Sequence, residues 1–144
     1  MIFHPLDMIQ NMQDQKRKSD LVEIQKALEL YYQKNGRYPF ASDTFEIMQT
    51  KKPLQWGQDS WGSYIQILPD DPVPFSRTYV YYSNPLDGNQ SYWLYTSLER
   101  LSDEPAACND TCSLGNGNIP KEACGVHNNS IHCNFGVSSQ NVSP

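Results

Sequence analysis

Between Arg17 and Pro39, apolar side chains recur at three- and four-residue steps. Leu21, Ile24, Leu28, Tyr31 and Tyr32 form one series, while Glu23, Lys26, Glu29 and Gln33 fall elsewhere on the helical wheel. This pattern predicts an amphipathic helix with one apolar stripe. Val22 and Leu30 lie off the stripe, where they either stand singly in water or meet a second partner such as another subunit. Asn35-Gly36 offers the left-handed conformation that closes a helix, and Pro39 follows, so the helix is predicted to stop near Asn35. Upstream, Pro5-Leu6-Asp7 fits a helix start or a kink, and Ile9 and Met12 continue an apolar side toward Leu21. A helix from Asp7 to Gln33 is about 40 Å long at ~1.5 Å per residue. Its polar middle, Gln13 to Asp20, is not expected in a core, so the N-terminal half is predicted to project as a stem.

After Pro39, Ser42 or Asp43 is placed to cap a short helix carrying Phe45, Ile47 and Met48, ended by Lys51-Lys52-Pro53. Trp56, Trp61, Tyr64, Ile65, Ile67 and Leu68 are too many large apolar groups to leave in water. They predict a compact loop with a helical turn, packed on the first helix and broken at Pro69-Asp70-Asp71-Pro72. Two runs rich in aromatic and β-branched residues follow, Thr78 to Ser83 and Ser91 to Leu98, separated by Asn84-Pro85 and Asp87-Gly88-Asn89. They predict an antiparallel hairpin with a long loop. Alternation puts Tyr92, Leu94 and Leu98 on one face, toward the core. In Tyr79-Val80-Tyr81-Tyr82 every side chain suits burial, so alternation does not choose between the faces.

Composition narrows the reading. A chain of 144 residues predicts a single domain, 1–144, able to bury roughly 68% of the surface its unfolded form exposes. The net charge of -5 argues against a nucleic-acid partner, and the one basic cluster, Lys16 to Lys18, is flanked by Asp14 and Asp20. No run approaches the roughly 18 apolar residues of a membrane span, so the chain as given reads as soluble. The apolar stub Met1-Ile2-Phe3 is read either as the tail of a longer hydrophobic segment or as an ordinary terminus.

From Ser102 onward Asn, Ser and Gly become frequent, and Cys108, Cys112, Cys124 and Cys133 all fall here. Such a tail is not expected to hold itself by packing alone. Two disulfides are the natural reading for an exported protein, with three pairings open. The rival is a zinc site joined by His127 or His132, but no cysteine pair shows the two-residue gap common in such sites. The Asn-X-Ser/Thr triplets at Asn89, Asn109, Asn128 and Asn141 carry little weight in a chain this rich in Asn and Ser. Catalytic chemistry is sparse, with histidine only at His4, His127 and His132 and no nucleophile elbow, phosphate loop or metalloprotease motif. No catalytic residue, cofactor or metal ligand is therefore assigned. Asp70 and Asp71 stand between prolines, where they shape a turn more readily than a carboxylate pair. Asp87, Asn89 and Asp103 offer oxygens for calcium without EF-hand spacing.

The order RKSDLVEIQKALELYYQKNGRYP, SYIQILPDDP, a Tyr-rich strand and DGNQSYWLYTSLE resembles the body of type IV pilin-like proteins, most of all the major pseudopilins of type II secretion, over residues 5 to 99. Asn35 to Pro39 resembles the junction after that family's helix, and Leu68 to Pro72 its turn before the first strand. The resemblance implies an α+β fold, a long N-terminal helix packed on a small antiparallel sheet. Here that becomes a helical stem (1–36), a globular head with the hairpin (37–101) and a disulfide-linked tail (102–144). It also implies a structural filament subunit rather than an enzyme, exported to the cell surface or beyond. Such a subunit is anchored in the membrane before assembly by an apolar half-helix that does not appear in this sequence, and it is partnered by copies of itself or related subunits. The calcium-binding loop that major pseudopilins carry is not recognisable, and a cysteine-bearing tail follows the hairpin instead. The competing expectation is a freestanding secreted module that binds carbohydrate or peptide through Trp56, Trp61 and Trp93.

Overall fold

The computed structural model describes residues 4–144, and the stub Met1-Ile2-Phe3 lies outside the described residues. Helix α1 runs Pro5–Asn35, about 46 Å at ~1.5 Å per residue. Pro5 occupies its first turn, where a missing N–H is harmless. At the other end Gly36 adopts φ 74° and its N–H donates to the Tyr32 carbonyl at 2.7 Å, the closure that the Asn-Gly pair predicts. One face of α1 buries Leu21, Ile24, Ala27 and Leu28.

That face rests on an antiparallel sheet. Strands β1 (Met48–Gln49) and β2 (Lys52–Pro53) form a small separate hairpin, while β3 (Val80–Ser83), β4 (Tyr92–Thr96) and β5 (Phe135–Ser138) form the main sheet in the order β3-β4-β5. Tyr81 lies opposite Leu94 and Ser83 opposite Tyr92, which confirms the predicted hairpin. Alternation then sorts the side chains that the sequence left open. Tyr79, Tyr81, Tyr92, Leu94 and Leu98 join the helix in one core, whereas Val80, Trp93 and Tyr95 face the other side.

Two expectations are corrected here. The segment around Phe45, Ile47 and Met48 is not helical. Ser42 does accept the Glu46 N–H at 2.9 Å, but it closes a tight turn in which Phe45 takes φ 63° and across which Ala41 bridges Ile47, and Thr50 takes φ 59° in the next turn, between β1 and β2. Positive φ at these residues ends any helix, so the chain reverses as a hairpin. The tail also packs more than its composition suggested. β5 pairs with β4, Thr96 opposite Phe135, and Ile119, Cys124 and Cys133 cover Val80, Trp93 and Tyr95. The molecule therefore has three layers, with α1, the sheet and the tail stacked in turn. Gly136 makes this possible, because a Cβ there would stand 2.4 Å from the Tyr95 ring.

The aromatic loop packs on α1 as predicted, but its Trp61 to Ile65 turn is closed by an antiparallel bridge rather than by a turn of helix. Trp61, Ile65 and Leu68 are buried, and the Tyr31 ring of α1 lies 5.7 Å from Trp61 and 5.6 Å from Tyr64. Ile67 is the exception and faces solvent.

Two predictions follow from this core. Leu28→Ala should lower unfolding free energy by about 2–5 kcal/mol as a fully buried truncation, and Val22→Ala by less than about 0.5 kcal/mol, both read by urea unfolding. The phenols of Tyr38, Tyr79, Tyr81, Tyr82, Tyr92 and Tyr95 are all raised above 10, first by burial. A raised phenol favours the protonated native state, so its stabilisation is complete below about pH 10 and declines as pH climbs toward the native pKa. Absorbance at 295 nm near pH 11 should fall short of the denatured amplitude, and the missing part should appear together with loss of the circular dichroism of the fold.

Candidate functional site

The polar middle of α1 is where the structure departs furthest from the sequence reading. Asp14, Arg17 and Asp20 are buried rather than carried on a projecting stem. At three-residue steps they share the face of Leu21, Ile24 and Leu28, extending the buried stripe toward the N-terminus with charges in place of methyl groups.

Arg17 has no exposed surface. Its Nε donates to Asp71 Oδ2 at 2.8 Å and its Nη2 to Asp71 Oδ1 at 3.0 Å, a two-point fork, while Nη1 donates to Asp14 Oδ1 at 2.8 Å. Glu99 Oε2 lies 3.6 Å from Nη1 and completes the acidic surround. Burial by itself lowers an arginine pKa, but hydrogen bonds and charge from Asp71, then Asp14 and Glu99, outweigh it and raise the group above its ordinary value. Asp14 uses both oxygens again, accepting the backbone N–H of Glu99 and of Arg100, each at 2.9 Å. Asp71 Oδ1 also accepts the Val73 N–H at 2.8 Å. Three segments distant in sequence, α1, the Pro69 to Pro72 turn and the exit from β4, thus converge on one guanidinium.

A second ring of contacts flanks the first. Tyr79 Oη donates to Asp20 Oδ2 at 2.5 Å, and Lys16 Nζ donates to the same oxygen at 2.5 Å and to the Asp70 carbonyl at 2.9 Å. Burial, then Asp20, drives the Tyr79 phenol far above its ordinary value, so it remains a donor. Asp70 is raised as well, first by burial, and its Oδ1 accepts the Asp71 N–H. Asp70 and Asp71 therefore shape and anchor a turn, as the flanking prolines suggested. The sequence clue missed was the i, i+3 pair Asp14 and Arg17 in phase with the apolar stripe.

The opposite side of α1 is open. At about 100° per residue, Met8, Met12, Val22 and Leu30 fall opposite Arg17, Ile24 and Leu28, and all four are exposed, Met12 at 66% and Leu30 at 51%. Ile9 is exposed beside them, while Leu6 is exposed on the side of Arg17, beyond the buried part of that face. None of the described helices is long and apolar enough to cross a membrane.

The remaining sequence candidates fall outside this cluster. Cys108 pairs with Cys112 and Cys124 with Cys133. Trp61 and Trp93 are buried, and the Trp93 indole donates to the Ser143 carbonyl at 3.0 Å, so two of the three tryptophans proposed for ligand stacking are core residues. Asp87 accepts from the Gln90 N–H and the Ser91 hydroxyl within the hairpin loop, and Asn89 is buried beneath it.

Removing the central cation should be costly. Arg17→Met leaves the charges of Asp14 and Asp71 buried with backbone N–H groups but no cation to neutralise them, and about 3–5 kcal/mol of stability should be lost in urea unfolding. Arg17→Lys should recover only part of the loss, since an ammonium does not reproduce the fork to Asp71.

The family model described as type II secretion system (T2SS), protein G, matches residues 6–105. The matched region takes in α1, both hairpins and every member of the Arg17 cluster, and it ends before the first cysteine. No curated protein matches the chain, and no solved structure does. With well over half its length matched and a long helix packed on a small antiparallel sheet, this chain belongs to the family of type II secretion system protein G, the major pseudopilins.

Proposed function

We propose that the chain is the outward-facing, soluble part of a structural subunit of the type II secretion pseudopilus. In this reading an apolar half-helix precedes α1, anchors the subunit in the membrane before assembly and enters the filament core afterwards. Residues 1–144 act as one domain, in which helix (1–36), head (37–101) and tail (102–144) move as a body. The subunit is exposed outside the membrane, and its partners are copies of itself or related pilin-like subunits. It performs no catalysis.

The observation that carries this reading is the two-sided helix. One face of α1 is committed to the head through Arg17, Leu21, Ile24 and Leu28, while Met8, Met12, Val22 and Leu30 stay exposed on the other. An apolar stripe along a helix already anchored to its own domain suits contact with neighbouring subunits. Family membership supports the same partner class.

The test replaces the stripe without touching the fold. In cells producing the full-length subunit with its secretion system, Met12→Glu with Leu30→Glu should abolish sheared filaments and secretion. The purified domain should meanwhile keep its melting temperature within about 2 °C, because both sites are exposed. Normal filaments from the double variant contradict the assignment of this face. The coding sequence upstream gives an independent check, since a prepilin-type glycine followed by an apolar segment is expected there.

A further inference from the structure

The likeness to major pseudopilins implies a calcium ion in the loop region after the hairpin. The residues of this chain do not fit one, since calcium takes about 6–8 oxygen ligands. Among the described residues no three His, Cys, Asp or Glu side chains converge in a way that could hold a metal. Asp87 is engaged by Gln90 and Ser91, and the Asn89 amide donates to the Ser83 hydroxyl at 2.8 Å. Glu104 pairs with Lys18 at 2.6 Å, and Asp103 and Asp110 stand exposed.

The backbone leaving β4 is held by protein groups instead. Asp14 takes the Glu99 and Arg100 N–H groups, and Asn134 grips Leu98 from both sides, accepting its N–H at 2.7 Å and donating to its carbonyl at 3.0 Å. The Asn134 carbonyl in turn accepts from Cys108 and Asn109, and its N–H donates to Thr96. Asn134 is itself placed by its neighbour Cys133.

The Cys124–Cys133 bridge joins the two edges of the main sheet. On one side the Cys124 carbonyl accepts the Thr78 N–H at 3.0 Å and Gly125 bridges Arg77, just before β3. On the other, Cys133 precedes β5 by two residues. Both sulfurs are buried against Val80, Trp93 and Tyr95. The Cys108–Cys112 bridge closes the turn that hangs on Asn134. All four cysteines and β5 lie beyond the residues that match the family.

We propose, building on the family reading, that this subunit has exchanged calcium dependence for dependence on thiol oxidation. The third strand is locked by two disulfides, and the partner required for maturation is a thiol–disulfide oxidase rather than a metal ion. Each bridge forms as two thiols release two protons and pass two electrons to the disulfide of that oxidase, which leaves as a dithiol.

The experiment follows thermal unfolding of the purified, oxidised chain in excess calcium, in excess EDTA and in excess dithiothreitol, with thiols counted by mass spectrometry. Calcium and EDTA should leave the melting temperature within about 1 °C of each other, since an ion that does not bind the native state does not stabilise it. Reduction should lower it by about 10 °C or more, and calcium should not restore it. Cys124→Ser with Cys133→Ser should reproduce most of that fall. If this variant does not fold, reduction of the folded wild type still decides. A rise of several degrees with calcium overturns the proposal, as does rescue of the reduced chain by calcium or a melting temperature indifferent to complete reduction. Any of those results leaves filament assembly untouched, so the family reading fails or stands separately.

Discussion

The Arg17 fork to Asp71 is the constraint on which the rest depends. A guanidinium with no exposed surface is tolerated only where its donors find partners, and here Asp71, Asp14 and Glu99 come from three different stretches of chain. Satisfying it sets the rotation of α1, the path of the Pro69 to Pro72 turn and the direction in which the chain leaves β4. Apolar packing below the cluster tolerates small sliding, whereas a two-point hydrogen bond does not. The charged cluster thus acts as the register mark of the helix, and Leu21, Ile24, Ala27 and Leu28 supply the buried area.

Once α1 is fixed in rotation, the division of labour between its faces follows. Arg17, Ile24 and Leu28 are spent inside the domain, and Met8, Met12, Val22 and Leu30 stay exposed on the opposite face. The sheet divides in the same way. Its first face takes the helix, and its second face, Val80, Trp93 and Tyr95, is closed by the tail and the two disulfides. A polar segment of this kind orders because it adds one short strand and a few buried side chains to a surface that already exists.

The helix, its end at Asn35 and the hairpin were legible from residues alone, because periodicity and turn chemistry there act locally. Tyr92, Leu94 and Leu98 were placed on the core face for the same reason. The polar middle of α1 was misread because charge normally signals solvent, and the partners that neutralise Arg17 lie about fifty and eighty residues away. β5 escaped because Phe-Gly-Val-Ser is short and weakly patterned, and its pairing with β4 is a long-range event that no local signal announces. Phe45 shows the opposite failure, where a plausible capping residue closed a turn instead of opening a helix.

Peptide-resolved amide hydrogen exchange along α1 tests the central claim, that the helix is fastened to the head from Asp14 onward. Amides from Arg17 through Leu28 should exchange only with global unfolding, and those between Met8 and Met12 should exchange much sooner by fraying. Equally fast exchange in both segments would mean that the polar middle stands free of the head, and would contradict the account built on Arg17.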